Sequence, residues 1–291
     1  MAAFQIMNHT MKTCQKLFAL GILFFALPVL GQGMPPIVQA AKDANWAKLS
    51  SLLSTQSNVQ DVYGDGTSAL HWASYHDNVQ AAIGLIDEGG DVNSVTDLGV
   101  TPLWLAADNG SAAMVDALLE SGANPNLNLL SGETLVMTAA HSGNAALVRS
   151  LLAAGASPQG EVTRNQTALM WAAGQGHGDV VGALLDYGAE VDARTLVRSQ
   201  YVKSEKEQDS HPLNKVWVEQ GGNTALIFAA RAGSLESARL LVAAGSDVNG
   251  LSAFGTSPAI MAIHGGNIEL LGFLLESGAD VESSASGHTA L

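Results

Sequence analysis

The strongest constraint on this chain is a segment that recurs along it. Six stretches align: Ser68-Ala-Leu-His-Trp-Ala73, Thr101-Pro-Leu-Trp-Leu-Ala106, Thr134-Leu-Val-Met-Thr-Ala139, Thr167-Ala-Leu-Met-Trp-Ala172, Thr224-Ala-Leu-Ile-Phe-Ala229 and Ser257-Pro-Ala-Ile-Met-Ala262. Four of the five steps between starts are 33 residues and the fifth is 57, one period plus 24. A leucine pair and then a glycine follow in register: Leu118-Leu119 and Gly122, Leu151-Leu152 and Gly155, Leu184-Leu185 and Gly188, Leu274-Leu275 and Gly278. A unit this short cannot bury its apolar face alone, so neighbours must stack and stability becomes roughly a nearest-neighbour sum. With 47% hydrophobic but only 5% aromatic residues and 31 Gly, the chain suits thin, stacked helices better than one large core.

Each unit reads as two helices. Ser or Thr at the start caps the first helix by accepting a bond from a free backbone N–H, and Pro102 or Pro258 fits its first turn. Gly110, Gly143, Gly176 and Gly233 supply the turn into the second helix, whose buried stripe holds Met114-Val115, Val148, Val180-Val181 and Leu240-Leu241. Gly188-Ala-Glu-Val-Asp192 and Gly278-Ala-Asp-Val-Glu282 then end that helix and open a β-turn, with Gly188 expected at positive φ.

The start motif and the period resemble the ankyrin repeat. The resemblance implies an all-α fold, an ankyrin-repeat solenoid of paired antiparallel helices with β-turn or hairpin connections. Residues 34–67 fit a divergent N-terminal capping repeat, with Ala40-Ala41 and Leu52-Leu53 in register, Gln56 in place of Gly, and polar Lys42, Asp43, Lys48 and Ser50. Residues 68–192 and 224–288 hold the repeats proper, and 289–291 read as the start of a truncated one.

Residues 1–33 read as a secretory signal peptide: Lys12 and Lys16 precede the apolar run Leu17–Leu30, and small residues at Gly31 and Gly33 suit cleavage. The run is shorter than the ~20 residues a spanning helix needs, so no stable membrane insertion is expected after cleavage. Cys14, the single cysteine, precedes that run and would be lost with it, which excludes a disulfide framework or a thiolate metal site. The expected location is outside the cytoplasm, periplasmic or secreted. The net charge of −14 removes the usual electrostatic drive toward nucleic acid or anionic lipid.

Residues 193–223 interrupt the period where an inter-repeat turn belongs. They carry Arg194, Arg198, Lys203, Lys206 and Lys215, five of the eleven basic residues after the leader. Ser199–Val202 and Val216–Val218 look strand-like and flank a polar tip with Pro212. Two readings stand: an elongated hairpin used for recognition, or a solvated loop with Trp217 tucked against the adjacent repeat. The insertion and the phrase Gly221–Arg231 also look like exported bacterial ankyrin proteins.

Catalytic signatures are missing from the sequence: no G-x-S-x-G elbow, H-E-x-x-H pair, EF-hand loop or P-loop occurs. Gly174-Gln-Gly-His-Gly178 falls at the helix–helix turn of a repeat and needs no phosphate. His76, His141 and His264 follow the first helices of separate units, and packed helices ~8–10 Å apart cannot share a zinc whose bonds are ~2 Å. His71 and His177 are read as structural hydrogen-bonding groups, Trp72, Trp104 and Trp171 as packing residues, and Asn165-Gln-Thr167 as a chance sequon. No enzyme activity, catalytic residue, cofactor or metal is expected.

The resemblance implies recognition of a protein partner through β-turn tips and the residues following the Ala pair of each first helix. Those positions are Tyr75, His76, Asp97, Leu98, Asp108, Asn109, Leu130, His141, Ser142, Gln175 and Arg231. Arg198, Tyr201 and Trp217 of the insertion join them, since aromatic and Arg side chains anchor interfaces. The expected function is an exported interaction scaffold; the alternative is the targeting or substrate-positioning arm of a larger enzyme or redox protein whose catalytic domain lies beyond Leu291.

Overall fold

The computed structural model describes residues 33–55, 58–159, 161–162, 165–203 and 215–280. The leader, Gln56, the polar tip with Lys206 and Pro212, and the truncated last unit fall outside them. Fourteen helices occur among the described residues, in seven pairs. The first helices of the pairs are α1 (Pro36–Lys42), α3 (Ala69–Tyr75), α5 (Pro102–Asp108), α7 (Leu135–Ser142), α9 (Ala168–Gln175), α11 (Ala225–Ala232) and α13 (Pro258–His264). The second helices are α2 (Trp46–Ser54), α4 (Val79–Asp87), α6 (Ala112–Glu120), α8 (Ala145–Ala153), α10 (Gly178–Asp186), α12 (Leu235–Ala243) and α14 (Ile268–Glu276). Each first helix packs on the next first helix, each second on the next second, and the two rows form the layers of a solenoid.

Local chemistry sets where helices begin. The hydroxyls of Ser68, Thr101, Thr134, Thr167, Thr224 and Ser257 each accept the backbone N–H three residues on. Ser68 and His71 form a capping box: Nδ1 of His71 accepts the Ser68 N–H at 3.1 Å, so its Nε2 carries the proton and donates to the Val100 carbonyl at 3.0 Å. Burial lowers the pKa of His71 and keeps that ring neutral. Asn45, Asn78, Ser111, Asn144 and Ser234 cap second helices in the same manner.

Between the layers lie Leu85, Leu118, Leu151, Leu184, Leu241 and Leu274, all at 1% exposure or less. The alanines of the first helices, including Ala73, Ala106, Ala139, Ala172, Ala229 and Ala262, are fully buried, and their small side chains let neighbouring helices approach. Leu240, expected in the buried stripe with Leu241, is only half-buried, because the stripe turns away from it in α12. Second helices close on a left-handed glycine: φ is +88° at Gly122, +89° at Gly155 and +80° at Gly188.

Amide side chains tie one inter-repeat loop to the next. Asn126 donates to the Gly155 carbonyl at 2.9 Å and accepts the Ser157 N–H at 2.9 Å. Asn93 does the same with Gly122 and Asn124, Gln159 with Gly188 and Glu190, and Asn249 with Gly278 and Asp280. Each side chain joins residues 29 and 31 positions ahead, where an Asn or Gln can act as donor and acceptor at once. Asp192, before the insertion, can only accept; there Ser246, in register with Ala123, Ala156, Ala189 and Ala279, donates its hydroxyl to Asp192 at 2.7 Å. We expect Asn126→Ala to lower stability by about 1–2 kcal/mol, one net hydrogen bond for each bond lost. Chemical denaturation checks this, and an unchanged midpoint would remove the tie from the account of stability.

Across the insertion α9 packs directly on α11, so the solenoid is continuous. The insertion leaves sideways as an antiparallel hairpin, β3 (Arg198–Lys203) paired with β4 (Lys215–Gln220), with Tyr201 opposite Trp217. Its base is held from both sides: Gly222 N–H donates to the Thr195 carbonyl at 2.9 Å, Thr195 N–H to the Asn223 carbonyl at 3.1 Å. Arg194 donates to the carbonyls of Gly222 and Leu251. A shorter hairpin, β1 (Glu161–Val162) with β2 (Gln166–Thr167), precedes α9.

Candidate protein-binding surface

Counting the capping Ser or Thr as the first residue of a unit, the fifth and eighth residues share one side of each first helix, since positions three apart are neighbours on a helix. The fifth residues are Trp72, Leu105, Thr138, Trp171, Phe228 and Met261; the eighth are Tyr75, Asp108, His141, Gly174, Arg231 and His264. Most of the intervening residues are buried, whereas Tyr75, Asp108 and His264 are exposed and Trp72, Leu105, Thr138, His141, Trp171 and Arg231 are half-buried. Stacking the units turns these two positions into a continuous stripe.

Its character changes along the stack. At the N-terminal end Trp72 meets Tyr75 edge-on at 5.7 Å and stacks on His76 at 6.2 Å, with the Lys42 ammonium 5.7 Å from the Trp72 ring. Next comes an acidic stretch. The Asp108 side chain reaches water, but its carboxylate is partly desolvated by its neighbours, which raises its pKa; burial with the Asp108 charge nearby raises that of Glu133, and a bond from the Thr138 hydroxyl at 3.2 Å opposes the latter rise. Then His141 lies edge-on to Trp171 at 5.6 Å, its pKa lowered by burial and by His177. Gly174 leaves a notch there, for a Cβ on it would lie 3.5 Å from Phe228 Cδ1. Beyond the notch the Arg231 guanidinium sits 4.8 Å from the centre of the Phe228 ring. Burial lowers the Arg231 pKa, yet an Arg begins so high that it stays cationic.

The structure therefore brings Tyr75, Asp108, His141 and Arg231 into one stripe. Ser142 and Gln175 are exposed at the ends of α7 and α9. His76 and Asn109 have structural bonds: His76 Nε2 lies 3.0 Å from the Lys42 carbonyl, and Asn109 donates to the carbonyls of Ser74 and Tyr75. His177 likewise reaches the His141 carbonyl at 3.3 Å. Asp97, Leu98 and Leu130 are at turn tips that bond to each other along the stack: Asp97 N–H to the Asp65 carbonyl and Leu130 N–H to the Leu98 carbonyl. Leu130 is more open than Leu98, 77% against 63% exposed.

On the hairpin Arg198 is exposed and the rings of Tyr201 and Trp217 pair at 4.8 Å. Trp217 remains 69% exposed, so the reading in which it tucks against a repeat is corrected: strand pairing sets it against Tyr201 instead. Thr138 and Gly174 join the surface at the fifth and eighth positions of their units, where aligning the repeats already places them; Glu133 joins without a sequence signal of its own. Trp104 is buried, as expected of a packing residue, while the half-buried Trp72 and Trp171 show part of their rings on the stripe. Among the described residues no three His, Cys, Asp or Glu side chains are grouped to hold a metal, and no helix is long and apolar enough to cross a membrane.

Known proteins place this architecture. The structure is similar to the crystal structure of the human ASB11 ankyrin repeat domain, with 29% identity and a TM-score of 0.63, over 82% of this chain and 97% of that one. No curated protein matches the chain. The family model for ankyrin repeats in three copies matches residues 37–129, 122–195 and 199–285. With the stacked helix pairs, the capped first helices and the matched residues in agreement, the chain belongs to the ankyrin-repeat family.

Proposed function

We propose that this chain is an exported scaffold that binds one protein partner through the first-helix stripe and the inserted hairpin together. Ankyrin repeats mediate protein–protein interaction in general. The observation that carries the specific reading is the Tyr201–Trp217 pair: two large aromatic rings held in solvent on a built hairpin, 47% and 69% exposed. Such rings anchor interfaces because they bury much area at small cost in conformational entropy. The stripe adds a graded surface, acidic at Asp108 and Glu133 and cationic at Arg231, which suits a partner of mixed charge. Export rests on the apolar run Leu17–Leu30 behind Lys12 and Lys16.

The test is capture from the exported fraction of the host, using the protein beside a version with residues 198–219 replaced by a short turn. Arg194, Thr195 and Gly221 are kept, because they close the loop onto the solenoid. We expect a specific protein on the intact bait only, and Trp217→Ala to weaken its binding by roughly thirtyfold, a hot-spot loss of about 2 kcal/mol. Equal capture by both baits would remove the hairpin from the site. Recovery of the chain without its first 31 to 33 residues accompanies the export reading.

A further inference from the structure

The outer edge of β4 is unpaired: the hairpin is a two-stranded sheet, and among the described residues β4 is registered only with β3. Open edges of this kind are templates for a further strand, and a two-stranded sheet alone is marginal in water. The edge also has a symmetric sequence. Along β4 the residues run Lys215-Val-Trp-Val-Glu219. Laid antiparallel on a second copy of itself and centred on Trp217, this run sets Trp217 opposite Trp217, Val216 opposite Val218, and Lys215 opposite Glu219 on both sides of the axis. Every opposed pair is aromatic, β-branched or oppositely charged, the combinations that favour strand pairing. The same residue-centred operation on β3 sets Arg198 opposite Val202 about Gln200, or Ser199 opposite Lys203 about Tyr201, so neither pairs opposite charges as β4 does.

We propose that β4 of one molecule pairs with β4 of a second copy across a two-fold axis, giving a four-stranded antiparallel sheet in the order β3-β4-β4-β3. An isologous contact of this kind closes at two molecules and does not propagate. The occupant follows from charge: the solenoid outside the hairpin is strongly acidic, and among the described residues its strands β1 and β2 carry no Lys-to-Glu run. The pairing places Trp217 at the two-fold axis, so it competes with a partner anchored on that ring and leaves the first-helix stripe open in both copies; the purified chain tests it with no partner present. Two stripes on one dimer would raise avidity for a partner with repeated sites.

Sedimentation velocity on the purified chain, from low micromolar to near-millimolar concentration, tests the pairing. The wild-type protein is expected to reach twice the monomer mass. Lys215→Glu and Glu219→Lys each place like charges opposite one another twice, and each should weaken the dimer by roughly tenfold or more. The double variant with both changes is again self-complementary and should recover wild-type association. Unchanged thermal unfolding of the single variants at a dilution where all are monomeric shows that they are folded. A wild-type protein that stays monomeric throughout, single variants that associate as well as wild type, or a double variant that stays monomeric would each overturn the proposal. Occupation of the edge by a foreign strand while the pure protein remains monomeric would do so as well.

Discussion

Leu151→Ala is expected to lower the stability of the solenoid by about 3 kcal/mol, within the 2–5 kcal/mol typical of a fully buried leucine cut back to alanine. Leu151 has 0% exposure in α8, which packs on α6, α7 and α10, so the lost atoms leave a cavity at the junction of three units. Because the stack is held by nearest-neighbour contacts, a defect in its middle weakens two interfaces at once. The matched control is Leu275→Ala: Leu275 belongs to the same repeat pattern but is 41% exposed, and its truncation should cost under about 1 kcal/mol. Urea denaturation of both variants compares them directly. Equal losses at the two positions would sink the assignment of the inter-layer core.

Gly221→Ala should cost about 3 kcal/mol and loosen the hairpin. Gly221 sits at φ +109°, and a Cβ built there falls on the Leu196 carbonyl oxygen, so positive φ and collision act together. The residue also belongs to the closure of the insertion, since its carbonyl accepts the Ala253 N–H at 2.9 Å. Gly245→Ala separates the two effects: its φ is +94°, yet nothing lies within 4 Å of the added Cβ, so only the backbone cost of about 1 kcal/mol remains. Thermal unfolding measures the difference, and near-UV circular dichroism follows the Tyr201–Trp217 pair, which should lose signal only in the Gly221 variant. If both variants unfolded alike, the close approach of Gly221 to Leu196 would be wrong.

Much of the candidate surface is open to inspection in the sequence, though not all of it. Tyr75, Asp108, His141 and Arg231 stand at one position of the repeat, so aligning the units is enough to propose that they share a side. His76 and Asn109 lie next to them and look equivalent, but their side chains reach back to carbonyls of the preceding unit, 34 or 35 residues earlier. Glu133 is the opposite case. It precedes a capping threonine and carries no mark of function, yet its own helix brings the Thr138 hydroxyl to it, and stacking brings Asp108 near and withdraws it from water.

The sequence by itself determined the period, the capped starts of the first helices, the left-handed glycines that end the second, and the leucines between the layers. These are consequences of local backbone chemistry and of a helical apolar pattern, both contained within one unit. It also marked the insertion as a place where the period, but not the stack, is interrupted. Only the tertiary structure decided how the loops are tied, which polar groups are already bonded, and which carboxylates are desolvated. Asn126 and its counterparts bond across 29 and 31 residues, and the raised pKa values of Asp108 and Glu133 arise from desolvation among neighbouring units. Those properties depend on distances between units, and such distances exist only after the units have stacked.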